Sequence, residues 1–349
     1  MNIFEGLNEA QREAVVAPEG HLLIVAGPGT GKTYTIVRRI ACLVARGVPP
    51  GRIAAVTFTN RAAREMRDRL AVLLGMANEQ PFVGTFHVLG MRLLRQVYGA
   101  EVFLAGEERA VAILRDISGL SQKGVEHLHA RISRARSLLQ EPEGEDAAFL
   151  EEYRRRLRAE GLFDFDDLIE EPLRLLRSGL LKDAPFRHFL VDEYQDVSPA
   201  QYAFLRALAG ERGAICAVGD SDQAIYGFRG ADMSGFLDFQ RGFPSSAAVV
   251  LKESYRSTAT ILAAASSVIG RNVRRITKEL APTRTAGVPV RLISVADERA
   301  EALCVAAEIE ARMGAMTHLR LSQAKGNVRK SDGTYRFGDF AVLFRTNAQ

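Results

Sequence analysis

The 349-residue chain has no tryptophan, only three cysteines and no apolar run of membrane-spanning length. Cys42, Cys216 and Cys304 are isolated, without Cys-x-x-Cys spacing, which excludes a disulfide framework or a cysteine zinc site and points to a reducing compartment. The missing apolar run argues against a membrane helix. The opening residues, with Glu5 and Glu9 and no basic segment, do not read as a signal peptide, so a cytoplasmic location is expected. Charge of one sign is also in short supply. The 46 Lys and Arg against 42 Asp and Glu leave a net charge of +4, which permits a nucleic-acid partner without arguing for one. With 47% hydrophobic and 25% charged residues, large-scale disorder is excluded and the length suits about two domains. Function must therefore be read from motifs.

The strongest motif is His21-Leu-Leu-Ile-Val-Ala-Gly-Pro-Gly-Thr-Gly-Lys-Thr33. Leu22 to Val25 read as a parallel strand buried on both faces. Ala26, Gly27, Pro28, Gly29, Thr30 and Gly31 form a loop whose N–H groups can turn inward around a phosphate. Lys32 adds a point charge for the β- and γ-phosphates, and Thr33 offers a hydroxyl to Mg²⁺. The strict pattern begins with Gly where this chain has Ala26, a position far enough from Lys32 to tolerate a methyl group. Tyr34 to Arg46 continue as an amphipathic helix.

Upstream, Leu7 to Val15 is a short helix capped by Asn8, and its Gln11 has the donor and acceptor needed to read an adenine edge. Ile53 to Thr57 reads as a second strand, followed by a helix to Leu74 with Asn60 as N-cap. Phe82 to His87 reads as a third strand, followed by a helix over Val88 to Tyr98. Phe58 and Phe86 then lie at the carboxyl edge of an open sheet, where they either face a ligand or fill the core. From about Glu107 to Glu160 helical periodicity takes over, a helical insertion. Its basic clusters Arg131 to Arg136 and Arg154 to Arg158 suit a phosphate backbone slightly better than a solvated helix face. Phe163-Asp-Phe-Asp-Asp-Leu168 opens a helix with acids in its first turn, as the helix dipole favours.

The second chemical centre is Phe189 to Asp196. A strand ending in Asp192-Glu193 places one carboxylate to hold Mg²⁺ and the next to activate water, which favours hydrolysis over phosphotransfer. Ile215 to Gly230 is another strand with a polar and aromatic loop. There Gln223 can reach a γ-phosphate, while Tyr226, Phe228 and Arg229 offer stacking and charge. Ala247 to Leu251 is a further strand, and Glu253 to Thr258 leads a new helix, with Arg256 on a second unit. Val290 to Val295, the helix Glu298 to Met313 and Phe340 to Phe344 give a β-α-β rhythm, interrupted by a polar loop over Ser322 to Gly338. So few strands cannot complete a second α/β domain, and the chain is expected to be the N-terminal part of a longer protein.

Taken in order, these motifs resemble the UvrD/Rep/PcrA family of superfamily 1 DNA helicases. They include Thr57-Phe-Thr-Asn60, Gly84-Thr-Phe-His87, Asp164 to Leu168, Val191 to Asp196, Val218 to Ala231, Tyr255-Arg-Ser-Thr258 and Phe344 to Gln349. The likeness runs from end to end. It implies an α/β fold: a RecA-like phosphate-loop domain over 1–106 and 163–251, a helical insertion over 107–162, and the start of a second RecA-like domain over 252–349. It implies ATP and Mg²⁺ as ligands, single-stranded DNA and single-strand/duplex junctions as partners, 3′-to-5′ movement, and work in repair or replication. By resemblance, Gln11 reads adenine and Tyr255 stacks on it, with Tyr34 beside them. Lys32 and Thr33 hold phosphate and metal, Asp192 is the metal partner, Glu193 the base, Gln223 the γ-phosphate sensor and Arg256 an arginine supplied across the cleft. Phe58, Thr85, His87, Phe165, Tyr226, Phe228 and Arg229 line the DNA track. In two places the chain departs from the family: Tyr34 stands where members carry arginine, and Phe228 where tryptophan is frequent. The later motifs are missing, so the chain alone is expected to be nearly inactive. A nucleotide-gated DNA-binding scaffold is the alternative, and a phosphate-loop kinase is disfavoured by Glu193 and Gln223.

Overall fold

The structure is a computed structural model that describes residues 2–75, 79–99, 102–181, 185–227, 230–313 and 335–344. In chain order, α1 (Glu9–Val16) precedes β1 (Leu22–Ala26), the glycine loop and α2 (Lys32–Ala45). Then β2 (Ile53–Val56) leads into α3 (Asn60–Leu74), and β3 (Phe82–Gly84) into α4 (Phe86–Tyr98). The insertion runs from β4 (Phe103–Leu104) through α5 (Glu107–Ser118), α6 (Gln122–Ser137) and α7 (Glu145–Ala159) to β5 (Leu162–Phe163), which pairs with β4 and closes it. After it come α8 (Asp167–Arg177), β6 (His188–Val191), α9 (Pro199–Ala209), β7 (Ala214–Gly219), the short α10 (Ser234–Leu237) and α11 (Phe239–Gly242), and β8 (Ala247–Leu251). The paired β9 (Glu253–Ser254) and β10 (Ala281–Pro282) flank α12 (Ala259–Ile269).

Six strands form one parallel sheet in the order β3-β2-β6-β7-β1-β8. Alternation along each strand divides the apolar residues between two cores. Leu23 and Val25 join Phe189, Ile215 and Phe204 on one face. Leu22 and Ile24 join Ile36, Ile40 and Met66 on the other. Helices cover both faces, which accounts for β1 being apolar at every position. The insertion has its own core around Ile113, Leu114, Leu128, Ile132 and Leu157. Because the strands are parallel, the loops after β1, β2, β3, β6 and β7 emerge at one edge of the sheet, where α/β folds bind ligands. This is the expected mixed α/β, RecA-like arrangement with its helical insertion.

Local chemistry shifts three expected boundaries. Thr59 caps α3: its backbone is extended and its hydroxyl accepts from the Ala62 N–H at 3.1 Å, while Asn60 is already helical. The third strand stops at Gly84, because Thr85 caps α4 and its hydroxyl accepts from the Val88 N–H at 3.3 Å. His87 therefore lies in the first turn of a helix.

Residues 1–288 form one compact unit, and 289–349 form a second. The second contains α13 (Glu298–Arg312), as expected, capped by Asp297, whose carboxylate accepts from the Ala300 N–H at 2.8 Å. The expected strands at 290–295 and 340–344 are not formed. Leu292 is 98% and Leu343 93% exposed. Short apolar segments need neighbouring strands to satisfy their backbone, and among the described residues none pairs with them. Residues 322–334, most of the expected polar loop, and 345–349 lie outside the described residues.

Candidate nucleotide site and nucleic-acid interface

The glycine loop is built by backbone freedom at two positions. Gly29 has φ +75° and Gly31 φ +84°, a left-handed region that side chains disfavour. Gly31 directly precedes α2, whose first-turn N–H groups lack intrahelical acceptors and so suit an anion. The Thr30 hydroxyl closes the loop onto the Gly27 carbonyl at 2.8 Å. Ala26 is the last residue of β1 and packs in the core with Ile36, so its methyl does not enter the loop. The segment 254–256 rests on this loop within the same compact unit. Ser254 Oγ donates to the Pro28 carbonyl at 2.9 Å, and the Tyr255 N–H donates to the Gly29 carbonyl at 2.9 Å. A Cβ on Gly29 would fall 2.5 Å from the Arg256 Cβ, and one on Gly27 would fall 2.6 Å from Leu280. Both glycines therefore admit neighbours that any side chain would displace.

Lys32 and the acid pair meet at the mouth of the loop. Lys32 Nζ lies 2.9 Å from Glu193 Oε2 and 3.3 Å from Gln223 Oε1. Glu193 reaches this position from a left-handed backbone (φ 49°, ψ 45°), unusual for a residue with a side chain. Gln195 Nε2 donates to the same Glu193 oxygen at 2.9 Å, and Asp192 Oδ1 accepts the Glu193 N–H at 3.0 Å. Burial, with the neighbouring Glu193 carboxylate, pushes the Asp192 carboxyl up to about 6, against the opposing influence of Lys32 and Thr33 beside it. A hydroxyl and a carboxylate are hard oxygen donors, the set that Mg²⁺ accepts when phosphates and water complete its shell. Among the described residues no group of three or more His, Cys, Asp or Glu could hold a metal by itself. Thr33 and Asp192 fit such a shared site, completed by phosphate and water.

The expected base-reading residues also converge. Gln11 is buried, with Nε2 donating to the Thr30 carbonyl at 2.9 Å and Oε1 accepting from the Asn8 N–H at 3.1 Å. One N–H and one lone pair of its amide remain for a ligand. Tyr255 is half-exposed, and its hydroxyl accepts from Asn8 Nδ2 at 2.9 Å and donates to Glu253 at 2.8 Å. Tyr34 donates to the Glu5 carbonyl at 2.8 Å, and the Arg38 guanidinium lies 3.5 Å from its ring centre. The arginine that position 34 lacks is thus replaced by an aromatic ring with a cation stacked on it.

A groove of about 1000 Å³ gathers Phe58, Thr85, His87, Phe165 and Tyr226, all five expected track residues that are described. Phe58 and Tyr226 stack at 5.6 Å between ring centres, and His87 and Phe165 at 3.8 Å. Phe165 is 57% exposed, so its ring is available to a further π-face. Phe228 and Arg229 lie outside the described residues. Burial lowers the His87 imidazole to about 4. The folded state thus disfavours its charge, and stability should fall as pH drops from about 6.5 towards 4, where the unfolded chain takes up the proton first. The His87 NMR titration should show a midpoint near 4 and no charge change between pH 7.5 and 5.5; a midpoint above 6 would remove this prediction.

Most arginines of the insertion's basic clusters are paired with carboxylates. Arg136 is buried and bonds Asp164 at 2.6 Å, Asp167 at 2.7 Å and Glu170 at 2.8 Å. Arg131 pairs with Asp146, Arg154 with Glu170, Arg155 and Arg156 with Glu152, and Arg158 with Asp167. Glu152 on α7 itself holds Arg155 and Arg156, whereas the other arginines pair with carboxylates on neighbouring elements, which a linear reading of charge runs does not reveal. Arg134 differs in lining the groove. The acids before α8 likewise serve Arg136 more than the helix dipole, although Asp164 Oδ1 also accepts the Asp167 N–H at 2.7 Å. Two further residues went unrecognised in the sequence. Gln195 lies inside a recognised motif, yet its bridge from Glu193 to the Asp220 N–H depends on the turn after β6. Lys278 lies in no motif.

Residues 7–244 match the UvrD/REP helicase N-terminal domain family. The chain is 38% identical to the ATP-dependent DNA helicase UvrD1 of Mycobacterium tuberculosis, over 99% of this chain and 47% of that protein. It is 34% identical to the ATP-dependent DNA helicase PcrA of Bacillus subtilis, over 99% and 48%. With PcrA of Staphylococcus aureus it shares 36%, over 98% and 48%. The chain thus spans about half the length of the curated relatives it matches. With the family match covering well over half of its residues and the glycine loop, acid pair and aromatic groove set along one sheet edge, the chain belongs to the UvrD/REP helicase N-terminal domain family.

Proposed function

We propose that this chain is the nucleotide-hydrolysing and strand-gripping part of an ATP-dependent DNA helicase that moves 3′-to-5′ on single-stranded DNA, in repair or replication. One observation carries the reading. Lys32, Glu193 and Gln223 meet over a phosphate-type loop, on the same sheet edge as a groove floored by stacked aromatic rings. In this reading the base of ATP lies among Gln11, Tyr34 and Tyr255, and its phosphates lie along Gly27 to Lys32. Thr33 and Asp192 hold Mg²⁺, which when bound neutralises developing phosphate charge. Glu193 accepts the proton of the attacking water. Gln223 stands beside the terminal phosphate, and Arg256, next to Gly29, adds positive charge there. The aromatic rings of the groove stack on bases of any sequence, as a motor moving along DNA requires. We further propose that residues 1–349 by themselves turn ATP over slowly and do not unwind.

The test is phosphate release by the full-length protein with and without single-stranded DNA. Strong stimulation supports the motor; binding of both ligands without stimulation supports the nucleotide-gated scaffold instead. Phe165→Ala and Tyr226→Ala should each weaken single-stranded DNA binding by about 1–3 kcal/mol without altering sequence preference. Unchanged binding in both would return these rings to a packing role.

A further inference from the structure

The loop after β7 carries a buried ionic knot whose cation comes from far along the chain. Lys278, between α12 and β10, has a side chain only 2% exposed. Its ammonium bonds Asp220 and also Asp222, the latter at 2.5 Å. Arg275 adds a second cation to Asp222 at 2.9 Å, and the Ile276 N–H donates to Ser221 Oγ at 3.1 Å. Taking an ammonium and a carboxylate this far from water costs several kcal/mol each, which only close and complete pairing offsets. Such an arrangement is weak evidence for stability alone, so its geometry is the more informative feature.

The two oxygens of Asp220 are divided. Oδ1 accepts from Lys278 and from the Asp222 N–H at 2.9 Å, while Oδ2 accepts from Gln223 Nε2 at 2.7 Å. An ionised carboxylate only accepts, so the Gln223 amide must turn its nitrogen to Asp220. Its oxygen is then left towards Lys32, at 3.3 Å. We infer that Lys278 is a positioning residue: by holding Asp220 in place as an acceptor, it fixes which end of the Gln223 amide faces Lys32 and the phosphate loop. This rests on the ATP-hydrolysing reading above. It also gives Gln223 a definite polarity, an acceptor directed at Lys32. Without Lys278, Arg275 still pairs with Asp222, but buried Asp220 loses the one cation paired with it among the described residues, and the Gln223 amide loses its fixed partner.

The experiment uses the full-length protein and follows DNA-stimulated phosphate release together with the affinity for a fluorescent ATP analogue. Lys278→Met should lower kcat on the order of 10- to 100-fold, the scale of a misplaced site group, and leave analogue affinity within about threefold. Lys278→Arg should restore most of the loss. In a Gln223→Ala background, Lys278→Met should produce no further loss of kcat, because the residue acts through the amide. If Lys278→Met does not fold, Lys278→Met combined with Asp222→Asn, which removes one of the two carboxylates left without the ammonium, carries the same comparison. An unchanged kcat in the single variant, or an equal loss in both backgrounds, would overturn the inference while the ATP-hydrolysing reading stands. No phosphate release by the unmodified protein would overturn both.

Discussion

Glu193→Gln in the full-length protein is expected to retain ATP affinity and lose about 10²- to 10⁴-fold in phosphate release, the usual contribution of a general base. The amide keeps the shape of the side chain and an oxygen for Lys32, which now lies 2.9 Å from Oε2, and Gln195 can still donate to it. What disappears is the negative charge to which the proposed mechanism assigns the proton of the attacking water. ATP should bind at least as well, since that charge also repels the terminal phosphate. Single-turnover phosphate release beside equilibrium binding of a fluorescent analogue separates the two effects. Turnover within about threefold of the unmodified protein would remove Glu193 from the chemistry.

The largest effect on stability is expected from Arg136→Met. The guanidinium satisfies Asp164, Asp167 and Glu170 directly and lies 3.7 Å from Asp166. Removing one partner of a buried charge network costs about 3–5 kcal/mol, because the acids remain without compensation. Arg158 still reaches Asp167 and Arg154 still reaches Glu170, but both are more exposed. The effect should depend on pH in a definite direction. Burial already raises the Asp166 carboxyl to about 6 in the native protein. Losing Arg136, whose charge lowers it, raises the folded-state value of Asp166 further above its unfolded value. A carboxyl so shifted adds stability below its unfolded value and loses it as pH rises through its folded value. The deficit of Arg136→Met, read by chemical denaturation, should therefore shrink between pH 7.5 and 5.5. A deficit independent of pH would mean that lost packing, not unpaired charge, dominates.

The nucleotide loop was legible in the sequence because its parts are local. A strand, three glycines, a lysine and a threonine occupy consecutive positions, and backbone geometry alone turns them into an anion site. The six strands of the sheet were legible for a similar reason, since apolar runs such as Leu22 to Val25 and Phe189 to Val191 have few other uses. Long-range pairing was not legible. Arg136, Arg154 and Arg158 looked like part of a surface for phosphates, and their acidic partners became evident only when α6, α7 and α8 were packed together. Lys278 is a plain lysine in the sequence, and its burial against Asp220 and Asp222 joins positions more than fifty residues apart. Val290 to Val295 and Phe340 to Phe344 show the opposite error: strand-forming composition with no strand to pair with among the described residues.

The left-handed backbone at Glu193 leaves the protein with a trade-off. A residue with a side chain held there costs on the order of 1–3 kcal/mol, and the surrounding turn must supply it. Selection for thermal tolerance alone would favour glycine or asparagine at this position, both of which accept that conformation readily. Either change relaxes the turn and withdraws the carboxylate from Lys32. In a library sorted only for resistance to heat, position 193 should therefore be among those where survivors are folded, bind nucleotide and no longer turn it over.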